Sequence, residues 1–199
     1  MSEATDGAGS GYRVVFGVIL GTGCGGGIAV NQRVLVGPNA LAGEWGHNPL
    51  PWPEPDEWPG QPCYCGRTGC IETFLSGPGL ARDYRARGGE AVDAIEIVRR
   101  GDSGLDPRAE ASLQRYEERL ARALTSILHV LDPDVIVLGG GVSNVDRLYR
   151  NIPPLLRPFG GDLPRTRLVK ALHGDSSGVR GAAWLWEKPG RPGSRGSLY

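Results

Sequence analysis

One histidine and three cysteines constrain the fold of this chain more than any other feature. His47 closes the segment Gly-Glu-Trp-Gly-His, and the cysteines follow at positions 63, 65 and 70. Zinc prefers four borderline or soft ligands in a tetrahedron, and the short turns between the cysteines let all four side chains reach one ion. We therefore predict a zinc site with the ligands His47, Cys63, Cys65 and Cys70. This closed set leaves no position for water, which makes the predicted zinc structural rather than catalytic.

A disulfide is the alternative use of these cysteines. A bridge between Cys63 and Cys65 would span a single residue and be strained, although Cys70 could pair with either one. Residues 1–12 are small and polar and carry no secretory signal, so we expect a reducing cytoplasm, where metal-bound thiolates are favoured. The fourth cysteine, Cys24, lies in a glycine run and is expected to be a small buried residue.

The charges of the chain balance, with 22 Lys and Arg against 22 Asp and Glu in 199 residues. No overall positive field exists, so we expect neither nucleic acid nor a membrane as a partner. The longest apolar run, Val14–Leu20, is far too short to cross a bilayer. We expect a soluble globular protein whose partners are small molecules or protein.

The first part of the chain predicts an antiparallel meander. An apolar run over Arg13–Leu20 suits a buried strand and is followed by a glycine loop over Gly21–Gly27. Two short strands are expected next, at Ile28–Val30 and Val34–Val36, separated by a turn. We therefore expect strand, glycine loop and strand in this order.

The later part of the chain predicts helices packed on a sheet. A long amphipathic helix is expected over Ala109–Leu131, because apolar residues recur there every three or four positions. Val135–Leu138 is expected to be a buried parallel strand. Between the two parts, the prolines of Pro49–Pro62 exclude regular structure. A further capped helix is expected over Ser176–Glu187. Together these patterns indicate an α/β protein.

Two glycine runs are candidate nucleotide contacts. Missing side chains let backbone N–H groups approach an anion closely, and a threonine in the first run adds a hydroxyl donor. The alternative is a glycine-rich hairpin that only satisfies backbone geometry. The second run follows a predicted parallel strand at its carboxyl end, where ligands bind in open α/β sheets. The two runs together fit a nucleotide held at both its phosphate and its adenosine ends. The candidate contacts are Gly21, Thr22, Gly23, Gly25, Gly26, Gly27, Gly139, Gly140 and Gly141.

Five segments carry a resemblance to a known family: Leu20–Gly27, Ala42–Trp52, Cys63–Glu72, Asp132–Gly141 and His173–Ala183. In order and spacing they resemble the ROK family, which groups repressors, open reading frames and sugar kinases. The resemblance spans residues 2 to 187. The segments around His47 and Cys63 resemble bacterial fructokinases first and N-acetylglucosamine kinases next.

The resemblance implies a two-lobed, actin-like ATPase fold built on ribonuclease H-like sheets, with sugar and ATP bound between the lobes. Residues 13–187 are expected to form the C-terminal lobe of such a sugar kinase, with a structural zinc loop over residues 44–72. Residues 1–12 would be a remnant of the first lobe, and residues 188–199 a disordered tail. The family's first phosphate loop and its catalytic Asp would both precede residue 2, so no catalytic residue is expected within this chain.

The resemblance also implies site residues and an activity. Glu44, His47 and Glu72 match positions that bind sugar hydroxyls, although both glutamates could be ordinary surface carboxylates. The implied activity is transfer of phosphate from ATP, with Mg²⁺, to a hexose, with fructose as the first expectation and fructose 6-phosphate as the product. N-acetylglucosamine or another hexose is the alternative substrate.

Other classes stay open at this point. A ROK-type sugar-sensing repressor and an inactive interaction domain are the alternatives to a kinase. The family also implies a homodimer. For the isolated chain, weak or absent activity is expected.

Overall fold

The computed structural model describes residues 2–156, 162 and 164–174 of the chain. Within them, a five-stranded sheet has the strand order β3-β2-β1-β4-β5. The strands are β1 (Val14–Leu20), β2 (Cys24–Val30), β3 (Arg33–Val34), β4 (Val135–Gly139) and β5 (Arg167–Lys170).

The sheet is an antiparallel meander extended by two parallel strands. β1 pairs antiparallel with β2, and β2 pairs antiparallel with β3. On its other edge β1 pairs parallel with β4, which pairs parallel with β5. Gly17 in the middle of β1 lies between Gly27 and Val137. The predicted meander and the predicted parallel strand are both confirmed.

Alternating side chains of β1 divide the core between two faces of the sheet. Phe16, Val18 and Leu20 pack into the larger hydrophobic cluster, which contains the buried residues of the main helices. Val15 belongs to a smaller cluster on the opposite face, with Val137 of β4. The helices of the described residues are α1 (Ser2–Thr5), α2 (Ile71–Leu75), α3 (Gly77–Ala86), α4 (Ala94–Asp102), α5 (Pro107–Leu131) and α6 (Arg147–Asn151).

Helix α5 confirms the predicted long helix and begins two residues earlier than expected. The Asp106 side chain accepts hydrogen bonds from the backbone N–H groups of Arg108 and Ala109, and Pro107 occupies the first turn. A helix cap of this kind satisfies N–H groups that have no partner within the helix. At its other end α5 stops at Asp132, which adopts a left-handed conformation.

Two strand predictions were wrong in their bounds. The glycine loop was predicted to extend to Gly27, but β2 already begins at Cys24. The glycines of β2 pair with residues Gly17–Ile19 of β1. The turn between the two strands is limited to residues 21–23. β3 is shorter than predicted, since only two residues pair with β2, and a glycine with positive φ, Gly37, follows soon after.

The proline-rich loop contains one short 3₁₀ turn, Pro55–Glu57, and otherwise has no helix or strand. The predicted helix over Ser176–Glu187 and the predicted tail over residues 188–199 lie outside the described residues. Among the residues that are described, none of the helices combines the length and the apolar character needed to cross a membrane.

Candidate functional site

Small residues allow the turn that carries His47 to lie directly on the sheet. This 3₁₀ turn spans Trp45–His47. A Cβ atom on Gly46 would lie 1.9 Å from the carbonyl oxygen of Cys24 in β2, so only glycine fits there. The Trp45 indole N–H donates a hydrogen bond of 2.8 Å to the carbonyl of Gly25. The position of His47 is therefore set by backbone contact with β2.

The four predicted metal ligands lie together. Their ligand atoms are all within 4.8 Å of one another. His47 Nδ1 is 3.6 Å from Cys63 Sγ, and Cys65 Sγ is 3.6 Å from Cys70 Sγ. Sulfurs on one tetrahedral zinc are about 3.8 Å apart, given Zn–S bonds of about 2.3 Å. A disulfide would need an S–S distance of about 2.05 Å. All four cysteines are free of disulfide bonds. The donor set and its spacing fit zinc.

Backbone hydrogen bonds hold the two halves of the ligand set together. The Leu50 N–H donates to the Gly69 carbonyl, and the Ile71 N–H donates to the Asn48 carbonyl, both at 2.9 Å. These bonds place the chain after His47 beside the chain around Cys70. The two ends of the predicted zinc loop are thus hydrogen-bonded to each other.

The environments of two thiols differ. Burial raises the pKa of the Cys70 thiol to about 12. The pKa of the exposed Cys65 thiol is lowered, first by a hydrogen bond from the backbone N–H of Arg67. Because zinc binds the thiolate, a zinc ion held by these four residues would displace protons on binding, and its affinity would fall as the pH falls.

Glu72 connects the metal loop to the first glycine turn. Its side chain leaves the first turn of α2, and Oε2 accepts a hydrogen bond of 2.9 Å from the backbone N–H of Cys24. A Cβ atom on Gly23 would lie 2.5 Å from the same carboxylate oxygen. Gly23 therefore leaves the space that the Glu72 carboxylate occupies.

Of the three predicted sugar-binding residues, His47 contacts the hydroxyl group of Tyr64. The hydroxyl is 2.9 Å from His47 Nε2. Its pKa is raised, first by the charge of Glu72 and less strongly by burial and by other charges, including that of Glu44. Glu44 lies on the His47 turn, since the His47 N–H donates to its carbonyl at 3.2 Å, and Glu72 follows Ile71, whose N–H donates to the carbonyl of Asn48 next to His47. The backbone thus brings Glu44, His47 and Glu72 to neighbouring positions. Sequence reasoning did not single out Tyr64, because its place between two cysteines does not fix the direction of its side chain.

The two glycine turns meet at the carboxyl ends of β1 and β4. Gly140 has a φ of 83°, and a Cβ atom there would lie 2.5 Å from the carbonyl oxygen of Leu20. In the first turn, the Gly21 carbonyl accepts a hydrogen bond of 2.7 Å from the N–H of Gly77, where α3 begins. The side chain of Thr22 is exposed. A single elongated ligand could contact both turns.

The structure divides the first glycine run into two parts. Gly21, Thr22 and Gly23 form the turn, whereas Gly25, Gly26 and Gly27 lie within β2. A Cβ atom on Gly26 would lie 2.9 Å from the indole ring of Trp45. Packing against Trp45 therefore explains a glycine at position 26 without any ligand.

A cavity of about 350 Å³ lies beside the second glycine turn. One wall comes from α4 and the other from the 3₁₀ turn Gly141–Asn144 and the residues after it. Apolar side chains with a few polar groups are typical of small-molecule sites. The apolar lining consists of Ala94, Ile95, Val98, Val142 and Val145, and the polar and charged lining consists of Asp102, Asn144, Asp146, Arg147 and Arg150.

Comparisons with known proteins agree with this arrangement. The chain matches the sequence profile of the ROK family over residues 1–189. It is 42% identical over 193 residues to an N-acetyl-D-glucosamine kinase of Pectobacterium carotovorum, a match that covers 93% of this chain and 62% of that relative. A ROK family glucokinase of Streptomyces griseus, solved in complex with glucose and AMPPNP, has a TM-score of 0.81 at 29% identity, covering 92% of this chain and 64% of that one.

A regulator shares the same architecture. The ROK family transcriptional regulator that is a homologue of the E. coli MLC protein has a TM-score of 0.76 at 26% identity, covering 92% of this chain and 48% of that one. These neighbours confirm the predicted fold, which is a ribonuclease H-like lobe of the actin-like ATPase architecture. The chain spans 62% of the length of its kinase relative. By its profile match, its motifs and its sheet, the chain belongs to the ROK family.

Proposed function

We propose that this chain forms the sugar-binding and part of the nucleotide-binding site of an ATP-dependent N-acetylglucosamine kinase. The observation that carries the proposal is the position of Glu72. Glu72 follows Ile71, which is hydrogen-bonded to Asn48 beside His47, and its carboxylate accepts the N–H of Cys24, directly after the first glycine turn. Phosphoryl transfer requires a sugar hydroxyl and the phosphate to be held in contact, and this geometry brings their predicted binding groups together.

In the proposed sugar site, the residues divide by hydrogen-bonding chemistry. Glu44 and Glu72 accept hydrogen bonds from sugar hydroxyls, since ionised carboxylates have only acceptor atoms. His47 donates through Nε2, because a metal ligated by Nδ1 fixes the tautomer. Zinc at the four-ligand cluster braces the His47 turn and the cysteine loop, and its closed ligand set keeps it out of the reaction.

In the proposed nucleotide site, Gly21–Gly23 contact the phosphates through backbone N–H groups and the Thr22 hydroxyl. Gly139–Gly141 and the cavity beside them take the adenosine, whose flat base suits apolar walls. Mg²⁺ accompanies ATP and neutralises phosphate charge. The general base is proposed to be the family's Asp rather than any residue named here, so these residues bind and orient.

The proposed sugar is N-acetylglucosamine rather than fructose, which was the first expectation from sequence. The relatives that support this substrate are N-acetyl-D-glucosamine kinases, at 42% identity for the Pectobacterium protein. The S. griseus neighbour was solved with glucose, which shares the pyranose ring of N-acetylglucosamine. Both findings favour the alternative that the sequence left open.

A sugar-sensing repressor is the second candidate, because a transcriptional regulator has the same fold. Such a sensor would bind sugar without needing the nucleotide. A homodimer stays a prediction for either function.

An assay of phosphoryl transfer from ATP to a hexose tests the proposal. The part of the Pectobacterium kinase outside the matched region is joined to this chain, and ADP formation is measured with N-acetylglucosamine, glucose and fructose. We expect turnover with N-acetylglucosamine in the fusion and a loss of at least about 100-fold in the Glu72→Gln fusion, as for loss of an oriented charged contact. No turnover with any hexose, together with sugar binding that is indifferent to AMPPNP, would favour the sensor.

A further inference from the structure

The hydroxyl of Tyr64 occupies the hydrogen-bonding position that the proposed function assigns to the sugar. It lies 2.9 Å from His47 Nε2. The two rings meet edge to face, with centroids 5.0 Å apart and an interplanar angle of 86°. Any sugar hydroxyl that accepts a hydrogen bond from Nε2 must therefore replace this contact.

The direction of the contact follows from the metal ligand set. His47 Nδ1 faces Cys63 Sγ at 3.6 Å and belongs to the four-ligand cluster. A metal on Nδ1 leaves the ring proton on Nε2, so His47 donates and the Tyr64 oxygen accepts. One N–H group forms one well-aligned hydrogen bond, and Tyr64 and a sugar hydroxyl compete for it.

Little else holds the Tyr64 side chain. Its exposed fraction is 82%, high for an aromatic residue. In contrast, the backbone on either side is fixed, because the Cys63 N–H donates to the Arg67 carbonyl at 2.8 Å and the Gly66 N–H donates to the Cys63 carbonyl at 3.0 Å. The ring can therefore turn away while the metal ligands stay in place.

We propose that Tyr64 is a displaceable internal substitute for the sugar: it accepts the His47 hydrogen bond in the absence of substrate and releases it when the sugar binds. Tyr64 thereby lowers sugar affinity and keeps the imidazole oriented between binding events. This inference rests on the proposed sugar site. It assigns to Tyr64 a role opposite to that of a sugar contact.

The variant Tyr64→Phe tests the proposal because it removes the acceptor and keeps the ring. The dissociation constant of N-acetylglucosamine is measured by NMR titration of the zinc-loaded chain. We expect it to fall by about two- to tenfold, the effect of one neutral hydrogen bond on an equilibrium. Zinc per chain should be unchanged. Tyr12→Phe is the matched control, since the Tyr12 hydroxyl contacts Arg167 instead, and its dissociation constant should equal that of the wild type.

A second readout does not depend on sugar. The His47 Nε2 proton should exchange with solvent more slowly in the wild type than in Tyr64→Phe. Weaker or unchanged sugar binding in the variant, equal proton exchange, or loss of zinc would each overturn the proposal. Absence of sugar binding in the wild type would overturn the proposed function as well, so the two failures are distinguishable.

Discussion

At the residue scale, glycine has three different roles in this chain. Gly46 allows backbone contact with β2, Gly140 allows contact with the end of β1, and Gly23 leaves space for a carboxylate. In contrast, a Cβ atom on Gly27 would meet no atom within 4 Å, and its φ is not positive. For Gly46, Gly140 and Gly23, local packing therefore explains why the residue is glycine, without any phosphate contact.

The substitution Gly46→Ala tests the contact that seats the His47 turn. A Cβ atom 1.9 Å from a backbone carbonyl oxygen cannot be accommodated without moving the turn. We expect a loss of about 2 kcal/mol or more in the free energy of unfolding, as for overpacking in a rigid site. Urea denaturation measures it.

Gly27→Ala is the control for this experiment, with an expected change below about 1 kcal/mol, because alanine costs nothing extra in open space. Equal effects of the two substitutions would contradict the account of the His47 turn.

The metal ligands could be predicted from the sequence because ligand type and spacing are local properties. Glu44 and Glu72 followed from the resemblance. The position of Tyr64 could not be predicted, since a tyrosine between two cysteines can point in several directions. Its contact with His47 depends on how residues 17 positions apart in the chain are folded together.

At the element scale, a buried ion-pair network fixes the proline-rich loop to α5. The Glu57 carboxylate accepts hydrogen bonds from Arg119 at 2.7 Å and from Arg122 at 2.8 Å. Arg119 also donates to Asp83 of α3 at 2.8 Å. The Glu57 and Arg119 side chains are exposed by only 2% and 5%. The network positions the loop that leads into the cysteines.

The substitution Glu57→Gln is expected to lower the free energy of unfolding by about 3 kcal/mol at pH 7, because it leaves Arg119 buried with one charged partner fewer. The control is Glu118→Gln, at an exposed position of α5. This substitution should change the free energy of unfolding by less than about 0.5 kcal/mol. A small effect of Glu57→Gln would contradict a structural role for the network.

The pH dependence of the same variant has a definite sign. Burial raises the pKa of Glu57, but hydrogen bonds from Arg119, the Glu54 backbone and Arg122 outweigh it and lower the pKa overall. A lowered pKa in the folded state means that the stabilisation is present above about pH 4.5 and is lost as the pH falls below it. The difference in the free energy of unfolding between the wild type and Glu57→Gln should therefore be smaller in acid. Urea denaturation at pH 7 and at pH 3 measures this difference.

Element prediction succeeded where periodicity is strong and failed where composition was misleading. The apolar spacing of α5 and the apolar run of β4 were sufficient to predict both elements. The start of β2 was missed because glycine disfavours strands, whereas here Gly25 and Gly27 pair with β1. The link between Glu57 and Arg119 spans 62 residues and carries no local signal.

At the scale of the whole molecule, the sheet brings separate motifs into one site. Parallel pairing of β1 with β4 places the two glycine turns side by side, and the cysteine loop carries Glu72 to the first of them. The glycine motifs predicted a nucleotide site, and the family resemblance predicted a sugar site. Their contact could not be inferred from spacing, because it depends on the strand order.

The measurement that tests the central claim most directly is an NMR titration of the zinc-loaded chain with N-acetylglucosamine, repeated with Cys70→Ser. We predict saturable shifts of the backbone amides over residues 43–47 and 71–75 in the wild type. In Cys70→Ser, both the bound zinc and these shifts should be lost, since the metal braces His47. Cys24→Ala, which leaves the ligand set intact, should retain both. Shifts that persist without zinc, or that lie elsewhere on the lobe, would contradict a metal-braced sugar site.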